Sequence, residues 1–590
     1  MEHENRIQHN LHLRKLALGE IDGKATGYPS IDKPWLKYYS EDSINASLPE
    51  CTIYEYIRQK NGGHGNDIAL MYFGKKISYS TLFQEIDKTA KAFSAIGVKS
   101  GDVVSFVAIT TPELIFSLYA LNKLGAVCNM IDPRMSENTI SELIKKANSN
   151  VLLVLDIFSD KVEKLDIAQE SKVIMLEMAL SMPLHVKLGF ALKEKKIPKS
   201  FKHLTWKDFV NTSNRQEESI SFTYQKNWPA LIEYTGGTTG EPKGVVLSND
   251  NINSVADQYK RSGTDLSRGQ SWQTVSAPFI AYALVFSMHL PLSYGMTCKI
   301  VIYDPKTIAI DTVKNEYNHI AANPLVWETI IHLPEAQNRD FSHLIAPTTG
   351  ADYMSVKLEN EINAFLASHG CTWKICQGYG LTEVASGISI NISNECNRPG
   401  SVGVPFIDTC VSVFDAETCE ELPYGSNGEI CISGPSVMLG YLKNEIATNE
   451  MIKTHKDGSV WLHSGDLGHM DEDGFIFIDG RIKRMLVRYN GAKVFPPVIE
   501  KNIMTTDAVQ KCVVVGKQDP ENAVGQVPVA FVIIADSFTG KEDYIEKELI
   551  RICAENLPEY AQPVEYHFVE NFPVTPIGKV DYRALEKKVE

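Results

Sequence analysis

The chain has no Cys-x-x-Cys pair and no cysteine at zinc-finger spacing from histidines. Its eleven cysteines (Cys51, Cys128, Cys298, Cys371, Cys376, Cys396, Cys410, Cys419, Cys431, Cys512 and Cys553) are scattered and odd in number. That pattern excludes an obvious disulfide framework or zinc module and points to reduced thiols. Basic residues are not in excess: 58 Lys and Arg stand against 73 Asp and Glu, a formal charge of −15. A general binder of nucleic-acid phosphates needs a basic surface, so nucleic acid is not an expected partner. A long hydrophobic run is missing too. The stretch from Ser271 to Cys298 has no charged residue, but Pro278 and Pro291 divide it and leave FIAYALVFSMHL between them. A membrane span needs about 20 apolar residues, so a buried helix is expected there. The opening MEHENRIQHN lacks an apolar signal core, and a cytoplasmic protein is the expectation. No internal repeat, low-complexity tract or triad-like motif is present.

A chain of 590 residues, 44% hydrophobic and 22% charged, is that of a globular enzyme too long for one core, so at least two domains are expected. From residue 66, apolar runs of strand length (DIALMYF, DVVSFVAI) alternate with amphipathic helical segments (STLFQEIDKTAKAFSAIGV, TISELIKKANS). This predicts an α/β fold with a parallel, helix-covered sheet, and the alternation returns after 230. Between about 400 and 480, short strands with Gly, Pro and Asp turns suggest a small β-rich unit. A short α+β tail follows from about 485. The segment 185–203, HVKLGFALKEKKIPKSFKH, is basic and apolar by turns. It reads either as a connector between subdomains or as a peripheral contact with an anionic membrane.

The sharpest local signal is Tyr234-Thr-Gly-Gly-Thr-Thr-Gly-Glu-Pro-Lys-Gly244, after the strand-like ALIE. Small and hydroxyl residues packed this closely let backbone N–H groups and Thr hydroxyls converge on phosphate oxygens, with Lys243 adding a charge. Walker A requires Gly immediately before its Lys, and Pro242 stands there instead. The stretch resembles the phosphate loop of the adenylate-forming (AMP-binding) superfamily, which includes acyl-CoA synthetases, luciferases and peptide-synthetase adenylation domains. Gly236 departs from it, since the family usually has Ser there.

Three further motifs occur in that family's order. Gln377-Gly-Tyr-Gly-Leu-Thr-Glu383 is similar to its second core motif. The resemblance implies that Tyr379 stacks on adenine, Thr382 contacts the α-phosphate and Glu383 holds Mg²⁺, a hard cation suited to carboxylate and phosphate oxygens. His463-Ser-Gly-Asp466 and Gly480-Arg-Ile-Lys-Arg484 resemble the ribose-binding aspartate and the arginine after it. Asp466 can accept from ribose hydroxyls and Arg481 can donate to ribose or phosphate oxygens. Arg484 occupies the hinge position, where the family usually has an acidic residue or Lys. Pro573-Val-Thr-Pro-Ile-Gly-Lys579 matches the C-terminal motif whose lysine reaches the substrate carboxylate and ATP during adenylation. The implied ATP/AMP site therefore comprises Thr235, Gly236, Gly237, Thr238, Thr239, Gly240, Lys243, Gly350, Ala351, Gln377, Gly378, Tyr379, Gly380, Thr382, Asp466, Arg481 and Lys579. Lys579, Lys243, Thr382 and Glu383 are the implied catalytic set.

The resemblance also implies the remaining parts. The fold would be a large N-terminal domain (1–482) of two helix-covered sheets plus a small β-barrel-like unit. A hinge (483–488) and a small mobile α+β domain (489–590) would follow. The loop Arg488-Tyr-Asn-Gly-Ala-Lys-Val494, equally compatible with a plain β-turn, would line a pantetheine tunnel through Gly491, Ala492 and Lys493. The acid would lie near Phe279, Ala281 and Tyr282. Many acyl-CoA synthetases carry His where Ala281 aligns. Residues 276–290 contain no acidic side chain to pair with an amino group, which disfavours an amino-acid substrate. The expected activity is ATP-dependent ligation of a carboxylic acid, a fatty acid above others, to CoA. It would proceed through an acyl-adenylate with release of pyrophosphate and then AMP. Two alternatives stand: delivery to a carrier-protein phosphopantetheine, or a nucleotide- or acyl-binding relative without catalysis.

Overall fold

A computed structural model describes residues 2–165, 170–191, 202–215, 221–235, 242–302, 304–490, 492–522, 524–574 and 580–590. The chain divides into two compact units. The first is Met1–Val411 with Ile432–His463 and Asp471–Ile476, and the second is Ser412–Cys431 with Ser464–Met470 and Phe477–Glu590.

The α/β alternation read from the sequence folds the first unit around an eight-stranded sheet. Its spatial order is Gly440–Tyr441, Lys243–Ser248, Pro229–Thr235, Val127–Ile131, Val103–Val107, Val151–Leu155, Lys172–Leu176 and Leu204–Thr205. The strands from Pro229–Thr235 onward in that order are mutually parallel. The two at the other end run antiparallel to their neighbours. Helices supply the crossovers that parallel pairing requires. One of them, Pro112–Leu124, starts where Thr111 accepts the Leu114 N–H. It ends at Gly125, whose φ of 74° closes the last turn in the left-handed conformation that glycine adopts without strain. This mainly apolar helix is buried along nearly its whole length, as suits an element packed between a sheet and its neighbours.

A second sheet of the first unit has the order Ser271–Val275, Thr297–Val301, Ile68–Tyr72, Lys75–Ser78. A third runs Ala321–Ala322, Thr348–Thr349, Cys376–Tyr379, Ser389–Ile390, Val404–Pro405. The uncharged stretch after Pro278 is helical and buried, as expected, but from Tyr282 to His289 it is a π-helix. Such wide turns are rare and occur often at functional sites. Among the described residues, no helix is long and apolar enough to cross a membrane. The basic segment opens on the helix Leu184–Ala191, where Leu184 and Leu188 are exposed. Residues 192–201 of that segment lie outside the described residues. All eleven cysteines are free thiols.

Between 404 and 487 most strands are short and closely spaced, as the turn residues predict, although Val460–Met470 runs for 11 residues, and the boundary between the two units passes through this segment. The rest of the second unit is α+β. Its three-stranded sheet has the order Val509–Gln518, Gln526–Ile534, Glu565–Phe568, the first pair antiparallel and the second parallel. Period-two alternation sends Val514 and Val532 to a core shared with Ile499, Ile503, Ile545 and Leu549 of two helices. Val513, Val515, Val529 and Phe531 go to the other face, against Leu585 and Val589, so both faces are covered.

Candidate active site

The strand Pro229–Thr235 leads into the phosphate-loop motif and Lys243–Ser248 leads out of it. The two strands pair antiparallel with Thr235 opposite Lys243. The loop residues Gly236, Gly237, Thr238, Thr239 and Gly240 lie outside the described residues, but the strands on either side of the loop are held in register by the sheet. Gly244, just beyond Lys243, packs so closely that an added Cβ would meet the Tyr234 ring at 3.0 Å and Ile232 and Leu442 at 3.2 Å.

The second motif is built on the strand Cys376–Tyr379. Gln377 pairs with Thr349, and Gly378 and Tyr379 pair with Ile390 and Ser389. Gly350 follows Thr349, and a Cβ there would lie 3.1 Å from the Gly378 carbonyl oxygen. Gly380 has no room for a side chain: its Cβ would fall 1.6 Å from the Ser386 carbonyl oxygen. Thr382 then opens a short 3₁₀ turn through Val384 that buries Glu383. Ala351, Ala385 and Ser386 all have positive φ (68°, 57° and 129°). Backbone strain of this kind in non-glycine residues clusters at functional sites. Buried Gln377 Oε1, Thr349 Oγ1 and Ser386 Oγ have no hydrogen-bond partner among the described residues. Polar atoms left in this condition are commonly completed by a ligand or water.

Glu383 is 8% exposed, and its Oε1 accepts a hydrogen bond from the Tyr441 hydroxyl at 2.7 Å. The Lys243 ammonium lies 4.8 Å from the centre of the same tyrosine ring. Burial and the adjacent carboxylate push the Tyr441 phenol far above its ordinary range, so it stays a donor. Among the described residues, Tyr441 is the side chain that donates to Glu383. The carboxylate thus keeps one oxygen for a hard cation. A single carboxylate contact fits Mg²⁺, which retains waters and phosphate oxygens for most of its shell.

Tyr441 was not singled out by its sequence, where it reads as an ordinary strand residue. Its partnership exists because Gly440–Tyr441 pairs with Lys243–Ser248. Glu233 was missed as well. It is fully buried on the strand into the phosphate loop, in one row with Phe106, Met130 and Val245. Neither of its carboxylate oxygens has a hydrogen-bond partner among the described residues, and burial raises its pKa well above 4.5. A glutamate within the apolar ALIEY run was the available signal.

The stretch expected to wall the acid site is buried at Phe279 and Ala281, and Tyr282 stacks on Phe286 with ring centres 5.4 Å apart. The Arg134 guanidinium lies 5.1 Å from the Phe279 ring centre. His289 is enclosed between the Tyr119 hydroxyl and Asn253 Oδ1, both at 3.0 Å, and burial lowers its pKa to about 3. It is therefore neutral, and the stretch 276–290 carries no charge.

In the second unit, Asp466 is buried and forms an ion pair with Arg481, Nε to Oδ1 at 2.6 Å, while the Arg481 side chain is 56% exposed. The Ser464 hydroxyl accepts the Asp466 N–H at 3.0 Å and fixes its backbone. Arg484 donates to Glu500 and to the Val514 carbonyl and packs on the Tyr582 ring. The short strands Leu486–Val487 and Lys493–Val494 pair as a hairpin. Within it the Arg488 N–H bonds the Ala492 carbonyl, and exposed Lys493 meets Glu417. Gly491 and Lys579 lie outside the described residues.

Comparison with known proteins agrees with this architecture. Residues 57–442 match the model of the AMP-binding enzyme family, and residues 498–579 match that of the AMP-binding enzyme C-terminal domain. The chain is 27% identical over 580 residues to a long-chain-fatty-acid–CoA ligase of Bacillus subtilis, covering 95% of this chain and 98% of that one. It is 25% identical over 529 residues to 4-coumarate–CoA ligase 1 of Oryza sativa, covering 86% and 87%. Among solved structures, ATP-bound MatB from Rhodopseudomonas palustris shares the fold, with a TM-score of 0.76 at 20% identity over 91% of this chain and 98% of that one. With the family model spanning well over half of its length, the chain belongs to the AMP-binding enzyme family.

Proposed function

We propose that the protein is an ATP-dependent fatty acid:CoA ligase that forms an acyl-adenylate and then a thioester. The observation that carries the adenylation reading is the arrangement of Lys243, Tyr441 and Glu383 beside the strands that flank the phosphate loop. Attack of a carboxylate on the α-phosphate brings anion towards anion. Lys243 and the loop N–H groups would stabilise the phosphates, and Lys579 the incoming carboxylate. Glu383 would hold Mg²⁺, which supplies charge neutralisation at the phosphates. Tyr379 and the Gly350–Ala351 turn would receive the adenine, Thr382 the α-phosphate, and Asp466 with Arg481 the ribose. Pyrophosphate leaves as the mixed anhydride forms. The CoA thiol then attacks the acyl carbonyl and AMP departs, with Gly491, Ala492 and Lys493 lining the thiol path.

The fatty-acid assignment is supported by the uncharged, apolar stretch around Phe279, Ala281 and Tyr282 and by the end-to-end likeness to long-chain-fatty-acid–CoA ligases. The 4-coumarate–CoA ligases among the relatives make aryl acids the nearest competitor. Domain movement would turn on the hinge 483–488, within which the Arg484 side chain is anchored to residues that follow it in the second unit. A cytoplasmic location accords with the absence of a membrane-spanning helix among the described residues.

The test is pyrophosphate release over a panel of fatty, aryl and amino acids, with free CoA or a carrier protein as acceptor. Fatty acids should give the highest kcat/KM, and free CoA should yield the thioester. Preference for a zwitterionic amino acid would overturn the acid-site assignment. Thioester formation on a carrier protein alone would replace CoA as acceptor.

A further inference from the structure

We propose that Tyr441 is a positioning residue for adenylation, holding Glu383 in place for its cation and keeping Lys243 from closing on that carboxylate. The inference rests on the assignment of Glu383 as the Mg²⁺ ligand.

The backbone fixes Tyr441 from several directions. Tyr441 stands opposite Val245 and Gly440 opposite Val246. The Leu439 N–H bonds the Val246 carbonyl at 2.9 Å and the Leu442 N–H bonds the Gly244 carbonyl at 2.7 Å. The Tyr441 N–H is taken by the Thr448 hydroxyl at 2.9 Å. Gly440 permits this path: its φ is 139°, and a Cβ would lie 2.9 Å from Thr448 Cγ2. The same segment is tied to the turn carrying the carboxylate, because the Met438 N–H bonds the Glu383 carbonyl at 2.9 Å. Tyr441 is 7% exposed, so its ring has little freedom to leave.

One side chain therefore touches both charges. Its hydroxyl donates to Glu383 Oε1, and its ring face receives the Lys243 ammonium. A lysine and a glutamate this close to one tyrosine could form a direct ion pair, which would remove both from ATP and its cation. The ring offers Lys243 a weaker, non-competing partner. The hydroxyl occupies one carboxylate oxygen without neutralising it, so the second oxygen remains an anionic ligand. Removing the hydroxyl loses the donor and frees Glu383 to turn towards Lys243.

The test compares Tyr441→Phe, Glu383→Gln and the double variant in the full-length protein. Mn²⁺ binding in the presence of ATP is followed by electron paramagnetic resonance, alongside steady-state kinetics of pyrophosphate release. Hydrogen bonds to charged groups are strong enough that Tyr441→Phe should weaken Mn²⁺ binding about tenfold. It should raise the KM for Mg·ATP while leaving the melting temperature within about 1 °C, since Phe keeps the ring and most of the buried surface. In the Glu383→Gln background the same change should have little further effect on Mn²⁺ binding, because the two residues act as one unit. Tyr441→Leu, which also removes the ring face, should be worse than Tyr441→Phe for ATP affinity measured without metal. Wild-type Mn²⁺ affinity in Tyr441→Phe, with Glu383→Gln impaired, would overturn the role of Tyr441 and leave the Glu383 assignment standing. Unchanged Mn²⁺ binding in both single variants would overturn both. A fully additive double variant would also overturn the coupling.

Discussion

Glu383 in the first unit and Asp466 in the second are both buried carboxylates beside a cation, yet they are held differently. Around Glu383 the donor is itself buried, its backbone is locked into the large sheet, and the neighbouring Lys243 opens the adjacent strand. Around Asp466 the partner is Arg481, whose side chain is more than half exposed. Arg481 reaches the buried carboxylate from the solvent side, so its own side chain stays largely open to water while it holds Asp466. The first arrangement is set by the fold before any nucleotide arrives. The second has a solvent-facing ionic partner that can also reach ribose and phosphate oxygens. The contrast assigns rigid charge placement to the residues proposed for the phosphates and exchangeable bonding to those proposed for the sugar.

The largest expected effect tests whether a third region completes the preset charges. Lys579→Ala should slow acyl-AMP formation by about 10²–10³-fold, the scale for losing a preorganised charge. Transfer from supplied acyl-AMP to CoA should be largely intact. Gly491→Trp should show the reverse by obstructing the thiol path. Rapid-quench assays of each half-reaction separate these outcomes, and equal loss of both steps in both variants would remove the two-position model of catalysis.

A smaller effect is expected at the exchangeable pair. Arg481→Ala should raise the KM for ATP by about tenfold, the loss of a charge-assisted hydrogen bond to ligand. The thermal midpoint should be unchanged. A clear drop in thermal stability would mean that the Asp466–Arg481 pair is structural, and the contrast with Glu383 would disappear.

The smallest effect concerns Glu233, which is buried like Glu383 but, among the described residues, lacks a hydrogen-bond partner for either oxygen. Burial holds its folded pKa well above 4.5. The unfolded chain therefore releases this proton first as pH rises through the unfolded value, and stability is lost from there up to the raised folded value. Glu233→Gln, neutral in both states, should be more stable than the parent at pH 7. The difference should vanish near pH 4. Thermal melts across that range check it, and a gain that does not depend on pH would show that titration is not its cause.

Much of the fold was legible because period-two and helical patterns act locally. The run DVVSFVAI became Val103–Val107 in the sheet, and PELIFSLYALNKL became a helix between Thr111 and Gly125. The motif around Tyr379 and Glu383 was legible for the same reason, since its glycines answer to local crowding such as that of Gly380 against Ser386. The π-helix at Tyr282–His289 was not, because an apolar run carries no sign of its turn width. Arg484 reads simply as the basic residue at a hinge position. Its ties to Glu500, Val514 and Tyr582 depend on where the following helix, strand and C-terminal helix fold back.

By itself the sequence determined the α/β alternation, the order of the adenylate-forming motifs and the chemical type of each site residue, because all of these depend on neighbours within a few positions. Only the tertiary structure decided that Tyr441 would stand against Glu383, 58 residues away, and beneath Lys243. It also decided that Glu233 would be sealed among apolar side chains and that Asp466 would be shared with an exposed arginine. Strand pairing and burial join residues remote in sequence, and the free energy of a charge depends on the partners and solvent it then meets.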